Sequence, residues 1–254
     1  MTLIIASLTL IERKYLSLVQ RRVGPKFVGH KGRLQYIADA LKLFLKNAII
    51  PNESNKYFFI FIPSCVAAVC YSFWMNVVWG PGVSLFEIEY NLVYVSLLSI
   101  IFGYCVILTG FFTKNKYAMI SSIRTSIGML NLEIFMGLMI LSLVSVGESF
   151  SFVSFVMFQE NFWLCFMFSG VSGLIIITFL LEVGRAPFDL SEAESELVAG
   201  YFTEYGGFFF ALYYLGEYMH LFFFYINVSI LFFGGWESLN VLCSLIFNKY
   251  ALSF

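Results

Sequence analysis

The sequence predicts an all-α, polytopic membrane helical bundle of about seven transmembrane helices plus one interfacial amphipathic helix. Three observations lead there. Of 254 residues, 60% are hydrophobic and only 12% charged, about half the roughly 25% typical of a soluble globular domain. Several windows with one charge or none run longer than the roughly 18–20 apolar residues a spanning helix needs. The basic residues, finally, fall on one side of the loops that those windows define.

The elements follow in chain order. Residues 1–19 form a shortened first span, with only about ten apolar residues before Glu12; no small-residue cleavage site follows Lys14, so residues 1–10 read as part of a mature helix. Gly24-Pro25 and Gly29 to Gly32 then break that helix and re-aim the chain. Leu34, Ile37, Ala38, Leu41, Phe44, Leu45 and Ala48 recur at helical spacing, with Gln35, Asp39, Lys42 and Lys46 on another face. This segment, within the loop 20–56, is too polar to span and suits the membrane interface. The remaining expected spans are 57–86, 90–113, 125–147, 161–181, 198–215 and 218–236, all in one membrane domain, 1–254. The apolar run 241–247 is too short to be another.

Seven spans place loops 12–56, 114–124 and 182–196 and the C-terminal tail on one side. All 15 Lys and Arg residues then share that side, a positive-inside pattern. A net charge of −1 argues against a basic, nucleic-acid-binding protein. Cys65, Cys70, Cys105 and Cys165 lie in apolar windows without a C-x-x-C pair, and His30 and His220 match no metal-ligand spacing. No metal site is therefore expected. Residues 24–31 look superficially like a phosphate loop but lack its G-K-[ST] ending, which excludes nucleotide binding there. The 31 Phe, with many Ile, Tyr and Leu, fit an A+T-rich organellar coding sequence.

Two acids stand inside apolar windows. Glu133 lies about eight residues, hence roughly 12 Å of helix, inside 125–147, and Glu204 lies inside 198–215. An ionisable residue at such a depth costs about 2.5–3.5 kcal/mol on insertion scales for Asp and basic residues. It marks an ion or proton path or a protonated, hydrogen-bonded Glu. Asp189, Glu192, Glu194 and Glu196 put four acids in eight residues with Arg185 nearby; they form either a solvated loop or a group whose buried members titrate above their free values. Arg13, Lys14, Arg21 and Arg22 read, by themselves, as a topogenic, headgroup-binding patch. Asp39 and Lys42 on one helical face suggest a surface ion pair worth about 0.3–0.5 kcal/mol.

Four stretches and two Glu-Tyr pairs carry a family resemblance. Glu12-Arg13-Lys14, Arg21-Arg22-Val23-Gly24-Pro25 and Ala38-Asp39-Ala40-Leu41-Lys42-Leu43-Phe44 resemble, in order and spacing, the first matrix-side segment of the membrane subunit 1 family of respiratory complex I, NADH:ubiquinone oxidoreductase. The stretch 182–197, Glu-Val-Gly-Arg-Ala-Pro-Phe-Asp-Leu-Ser-Glu-Ala-Glu-Ser-Glu-Leu, resembles that family's signature loop, and Glu204-Tyr205 and Glu217-Tyr218 follow at matching places. Arg124 matches the family nine residues before Glu133.

The resemblance implies a core membrane subunit of a proton-pumping enzyme that lines the ubiquinone cavity and begins the proton path into the membrane arm. Ubiquinone is then a bound substrate, and flavin, NADH and iron–sulfur clusters sit on partner subunits. Arg13, Arg22, Asp39, Lys42, Phe44 and Tyr214 are the matching quinone-cavity candidates. Glu133, Glu182, Arg185, Asp189, Glu192, Glu194, Glu196, Glu204 and Glu217 are the proton-coupling candidates. Quinone reduction is expected to change the charge at the acidic loop and so the proton affinity of Glu182, Glu192 and Glu133.

Implied partners are the peripheral-arm subunits at the quinone site, small membrane-arm subunits and membrane lipids, with no nucleic acid. The implied location is the mitochondrial inner membrane, basic loops on the matrix side, in preference to a bacterial plasma membrane. The family continues past the seventh span through a basic, aromatic loop into a further span, so a separately encoded chain is expected to supply that part here. Two rivals stay open at this point: a related subunit of a membrane-bound hydrogenase, and a free-standing proton or ion transporter, against which the lack of visible inverted halves argues.

Overall fold

A computed structural model describes residues 2–80, 83–84, 88–159, 163–184, 188 and 200–236. Among them the secondary structure is helical, apart from an isolated bridge between Val78 and Ser84. The helices are α1 (Thr2–Val19), α2 (Gln35–Leu45), α3 (Lys56–Met75), α4 (Asn91–Thr113), α5 (Lys116–Gly147), α6 (Phe152–Phe158), α7 (Leu164–Met167), α8 (Ser169–Val183) and α9 (Phe208–Phe232). Short 3-10 turns occupy His30–Gly32 and Gly200–Phe202. Helices α3, α4, α5 and α9 are long and apolar enough to cross a membrane, and α8 is a shorter apolar helix. The chain is thus a polytopic membrane helical bundle, as the hydropathy requires.

The expected break near 217 is absent. Residues 208–232 form a single 25-residue helix, where two spans, 198–215 and 218–236, were expected. Gly216 and Glu217 suggest a loop in sequence, but each has another role. A Cβ on Gly216 would stand 3.1 Å from the Val66 side chain, so this glycine lets α3 approach, as small residues do in membrane helices. Glu217 accepts a hydrogen bond from the Tyr201 hydroxyl at 2.6 Å, which satisfies one of its oxygens inside the helical run. Among the described residues the end of the first expected span and most of the second therefore lie in one continuous helix. The C-terminal tail with Lys249 lies outside the described residues.

The chain forms two compact units. The first comprises Met1–Cys70, Cys105–Ile123 and Glu192–Met219. Here the chain leaves α1 through Arg21, which holds a φ of 53°, and α2 ends at Lys46 in an extended conformation. The start of α9 fits against that end: Gly207 has φ +60°, and a Cβ there would lie 2.6 Å from the Lys46 carbonyl oxygen. Phe44 and Phe208 pack beside it with ring centroids 5.4 Å apart. Between α4 and α5 the chain reverses in two residues. Lys114 takes a left-handed φ of 55°, and Asn115 Oδ1 accepts from the Tyr117 amide at 3.0 Å, capping the new helix. Such a tight reversal requires close backbones. Gly110 provides them, because a Cβ at that position would meet Ser122 Oγ at 1.8 Å.

The second unit comprises Tyr71–Tyr104, Arg124–Ser191 and His220–Phe254. Its fixed point is Gln159, 1% exposed. The Nε2 group donates to the carbonyls of Phe155, Ile230 and Leu231, each at 3.1 Å. Oε1 accepts from the amides of Gly234 at 3.1 Å and Leu164 at 3.4 Å. Ile230 and Leu231 lie in the last turn of α9, where carbonyls lack helical partners, so this one side chain caps α9 and ties it to the segment holding α6 and α7. Gln159→Leu is expected to leave these groups unsatisfied at about 1–3 kcal/mol each, lowering the temperature at which the purified protein loses its helical signal on heating; an unchanged melting curve would contradict this.

Candidate functional site

In the first unit, side chains from α1, α2 and α9 meet. Arg13 Nη1 reaches Asp39 Oδ2 at 2.5 Å, with the two side chains 50% and 37% exposed. Gln35 Nε2 donates to the other Asp39 oxygen at 3.0 Å. The expected Asp39–Lys42 pair is thus replaced by a pair with Arg13, 26 residues away. At this exposure the pair is worth at most about 1 kcal/mol, so it orients a guanidinium more than it holds the fold. Among the described residues the other donors of Arg13 have no partner.

At the adjacent position of α1, Glu12 Oε2 accepts from the Tyr218 hydroxyl at 2.6 Å, and Tyr218 and Tyr214 share a hydrogen bond at 3.0 Å. Tyr214 also stacks on Phe210, with centroids 5.9 Å apart. Sequence reasoning singled out Tyr214 as a site residue, had Glu12 and Tyr218 only as members of family-matching stretches and Gln35 only on the polar face of the amphipathic helix, and missed Tyr201. Nothing local could have found Glu12 with Tyr218, since 206 residues separate them. Glu204 Oε1 accepts from Asn115 Nδ2 at 2.5 Å. Lys42 and Phe44 are exposed on α2, and Arg22 is exposed with its Nε on Gln20 Oε1 at 2.7 Å; neither Arg22 nor Lys42 joins the Arg13–Asp39 group.

In the second unit, Glu133 stands near the midpoint of the 32-residue α5. The Ser99 hydroxyl of α4 donates to its Oε2 at 2.5 Å. Glu182, 4% exposed, lies near the C-terminal end of α8. Both carboxylates line one cavity of about 30 Å³, together with Ser96, Ser99, Asn227 and the rings of Phe179 and Phe224. That volume admits about one or two waters. Asn227, 4% exposed on α9, was missed in the sequence, although a lone amide deep in an apolar run is itself a signal of a helix contact or a site. Arg185, Asp189, Glu192, Glu194 and Glu196 lie outside the described residues.

Among the described residues no cluster of His, Cys, Asp or Glu could hold a metal ion. Gathered instead are one guanidinium–carboxylate pair with tyrosines nearby in the first unit, and two acids around a small cavity in the second. The first can hold a polar ligand by hydrogen bonds; the second can accept and release protons.

The family model described as NADH dehydrogenase matches residues 1–254. A Paramecium tetraurelia protein named NADH-ubiquinone oxidoreductase chain 1 is 63% identical, over 94% of this chain and 92% of its own length. The chain belongs to this NADH dehydrogenase family. Within it, a Chondrus crispus relative, also named NADH-ubiquinone oxidoreductase chain 1, is 37% identical over 91% of this chain and 71% of its own length. A Yarrowia lipolytica relative of the same name is 33% identical over 97% and 73%. The family assignment makes the chain a membrane subunit of a respiratory-chain oxidoreductase, and it sets aside the free-standing transporter.

Proposed function

We propose that this chain is the membrane subunit of a proton-translocating NADH:ubiquinone oxidoreductase that helps form the ubiquinone site and begins the path of proton coupling. The observation that carries the reading is the convergence of Glu133 and Glu182, from α5 and α8, on one small cavity inside an apolar bundle. Carboxylates are expensive there and are not needed for packing, whereas a chain of protonatable groups with room for water is what proton transfer requires.

The quinone end of the reading rests on the first unit. Arg13, held by Asp39, and Tyr214, held by Tyr218, present donors to a quinone carbonyl, and Phe44, with Phe208 against it, offers apolar surface to an isoprenoid tail. Reduction of ubiquinone to ubiquinol takes two electrons and two protons. The electrons come from partner subunits that carry flavin and iron–sulfur clusters. This chain contributes shape, hydrogen bonds and charge around the head group. Arg22, Lys42 and the acidic residues Asp189, Glu192, Glu194 and Glu196 complete the proposal, the acids with Arg185 linking the head-group chemistry to Glu182. Glu204 and Glu217, each hydrogen-bonded within the first unit, belong to the same coupling set.

The partners are the peripheral-arm subunits at the quinone site, other membrane-arm subunits and lipids. The location is the mitochondrial inner membrane, with the basic loop between α1 and α3 on the matrix side.

Arg13→Ala tests the quinone assignment. The substitution removes a half-exposed side chain, so the fold should tolerate it. Loss of one charge-assisted hydrogen bond, worth about 1.5 kcal/mol, should raise the KM for a short-chain quinone roughly tenfold. NADH oxidation by an artificial acceptor at the flavin should not change. A proportional fall of both activities in fully assembled enzyme would remove Arg13 from the quinone site.

A further inference from the structure

His220 lies on α9 in the second unit, 3% exposed, among three phenylalanine rings. Phe102 stacks on it with centroids 4.6 Å apart, Phe224 meets it edge-on at 4.4 Å, and Phe73 tilts against it at 5.1 Å. Among the described residues its Nε2 has no hydrogen-bond partner. A residue kept only for packing would be Phe or Leu, which fill such a cage without the cost of an unsatisfied buried polar atom. An ionisable group held inside a spanning helix at that cost is a functional candidate by default.

Its surroundings give the candidate a task. The Phe224 ring that touches the imidazole also lines the cavity of Glu133 and Glu182, and Asn227, two helical turns from His220 on the same face of α9, lines that cavity too. Phe224 therefore stands between the imidazole and the carboxylates. The Phe102 ring stacked on the imidazole would stabilise an imidazolium while it exists, since a cation over an aromatic face is attracted by the ring quadrupole.

We propose that His220 is a proton-carrying station that exchanges protons with the Glu133–Glu182 cavity past the Phe224 ring, a role that rests on the coupling function proposed above. A cavity water carries a proton from the carboxylic acid of Glu133 to Nε2 of neutral His220, leaving Glu133 ionised and His220 as imidazolium. When the Phe224 ring turns aside, water in the cavity receives that proton and delivers it to an ionised Glu182 or Glu133. Imidazole and carboxylic acid are then both neutral, and charge is conserved at each transfer.

The test uses the assembled enzyme reconstituted in vesicles. His220→Phe fits the cage and should assemble, with quinone-linked turnover and pumping reduced by roughly 10²-fold, within the range for loss of a proton-transfer group. In His220→Ala, added imidazole should restore turnover, while thiophene, of similar size without a basic nitrogen, should not. Normal turnover and pumping in His220→Phe, or equal rescue by thiophene, would overturn the role. His220→Asn covers the case in which the other two variants do not assemble: reduced pumping in it supports the role, and full pumping overturns it. Glu182→Gln separates the two levels, for if it is impaired while His220→Phe is normal, only the His220 role falls; if Glu182→Gln is itself normal, the coupling function falls with it.

Discussion

Glu182→Gln is expected to cut quinone-linked turnover and proton pumping by roughly 10²-fold in enzyme that still assembles. The amide has nearly the shape of the acid and is cheaper to hold in an apolar bundle than a carboxylate, so folding should be unharmed. What it lacks is a proton to release. Glu133→Gln should act in the same direction, since Ser99 can still hydrogen-bond an amide at that place. Because both acids line one cavity, the double variant should be little worse than the worse single one, as expected of groups that work as a unit. NADH oxidation by an artificial acceptor serves as the control for assembly. Full turnover with a normal proton yield in both single variants would leave these acids as hydrogen-bonded structural residues.

Gly110→Ala should abolish assembly, a large structural effect for a single methyl group. The new Cβ would lie 1.8 Å from Ser122 Oγ, 2.5 Å from Ser122 Cβ and 2.7 Å from the Ala118 carbonyl oxygen. Rotating the serine hydroxyl relieves the first contact but neither of the others, so α4 and α5 must move apart at the turn that joins them. Overpacking of this kind costs about 1–3 kcal/mol or more, and here the two-residue turn leaves little slack. Ser122→Gly added to Gly110→Ala should recover part of the assembled enzyme by making room for the methyl group. Immunodetection of the complex on native gels checks both results; normal assembly of Gly110→Ala would show that the helices separate freely.

Hydropathy determined the membrane class, because the energy of placing a residue in lipid depends on that residue and its near neighbours alone. It marked the apolar windows and singled out Glu133 as an acid at depth. The amphipathic pattern from residue 34 likewise foretold α2, although the helix stops at Leu45, where the Lys46 backbone turns extended. The split near 217 misled the reading: an acid that ends an apolar window and one held within a helix by a hydrogen-bond partner look identical in sequence.

Family resemblance marked Glu182, Arg13, Asp39 and Tyr214 without giving their partners. Arg13 with Asp39, Glu12 with Tyr218 and Asn115 with Glu204 join positions 26, 206 and 89 residues apart. Such pairings depend on which helix faces meet, and no local pattern carries that information. The sequence by itself determined that the chain lives in a membrane, which side chains are costly there and to which family it belongs. Only the tertiary structure decided that 208–232 is one helix, that Asp39 holds Arg13 instead of Lys42, and that Glu133, Glu182 and Asn227 share a cavity with His220 behind its wall. The reason is physical: partition into lipid sums over residues along the chain, whereas a site is made where distant helices pack, and their register is set by side chains on all of them at once.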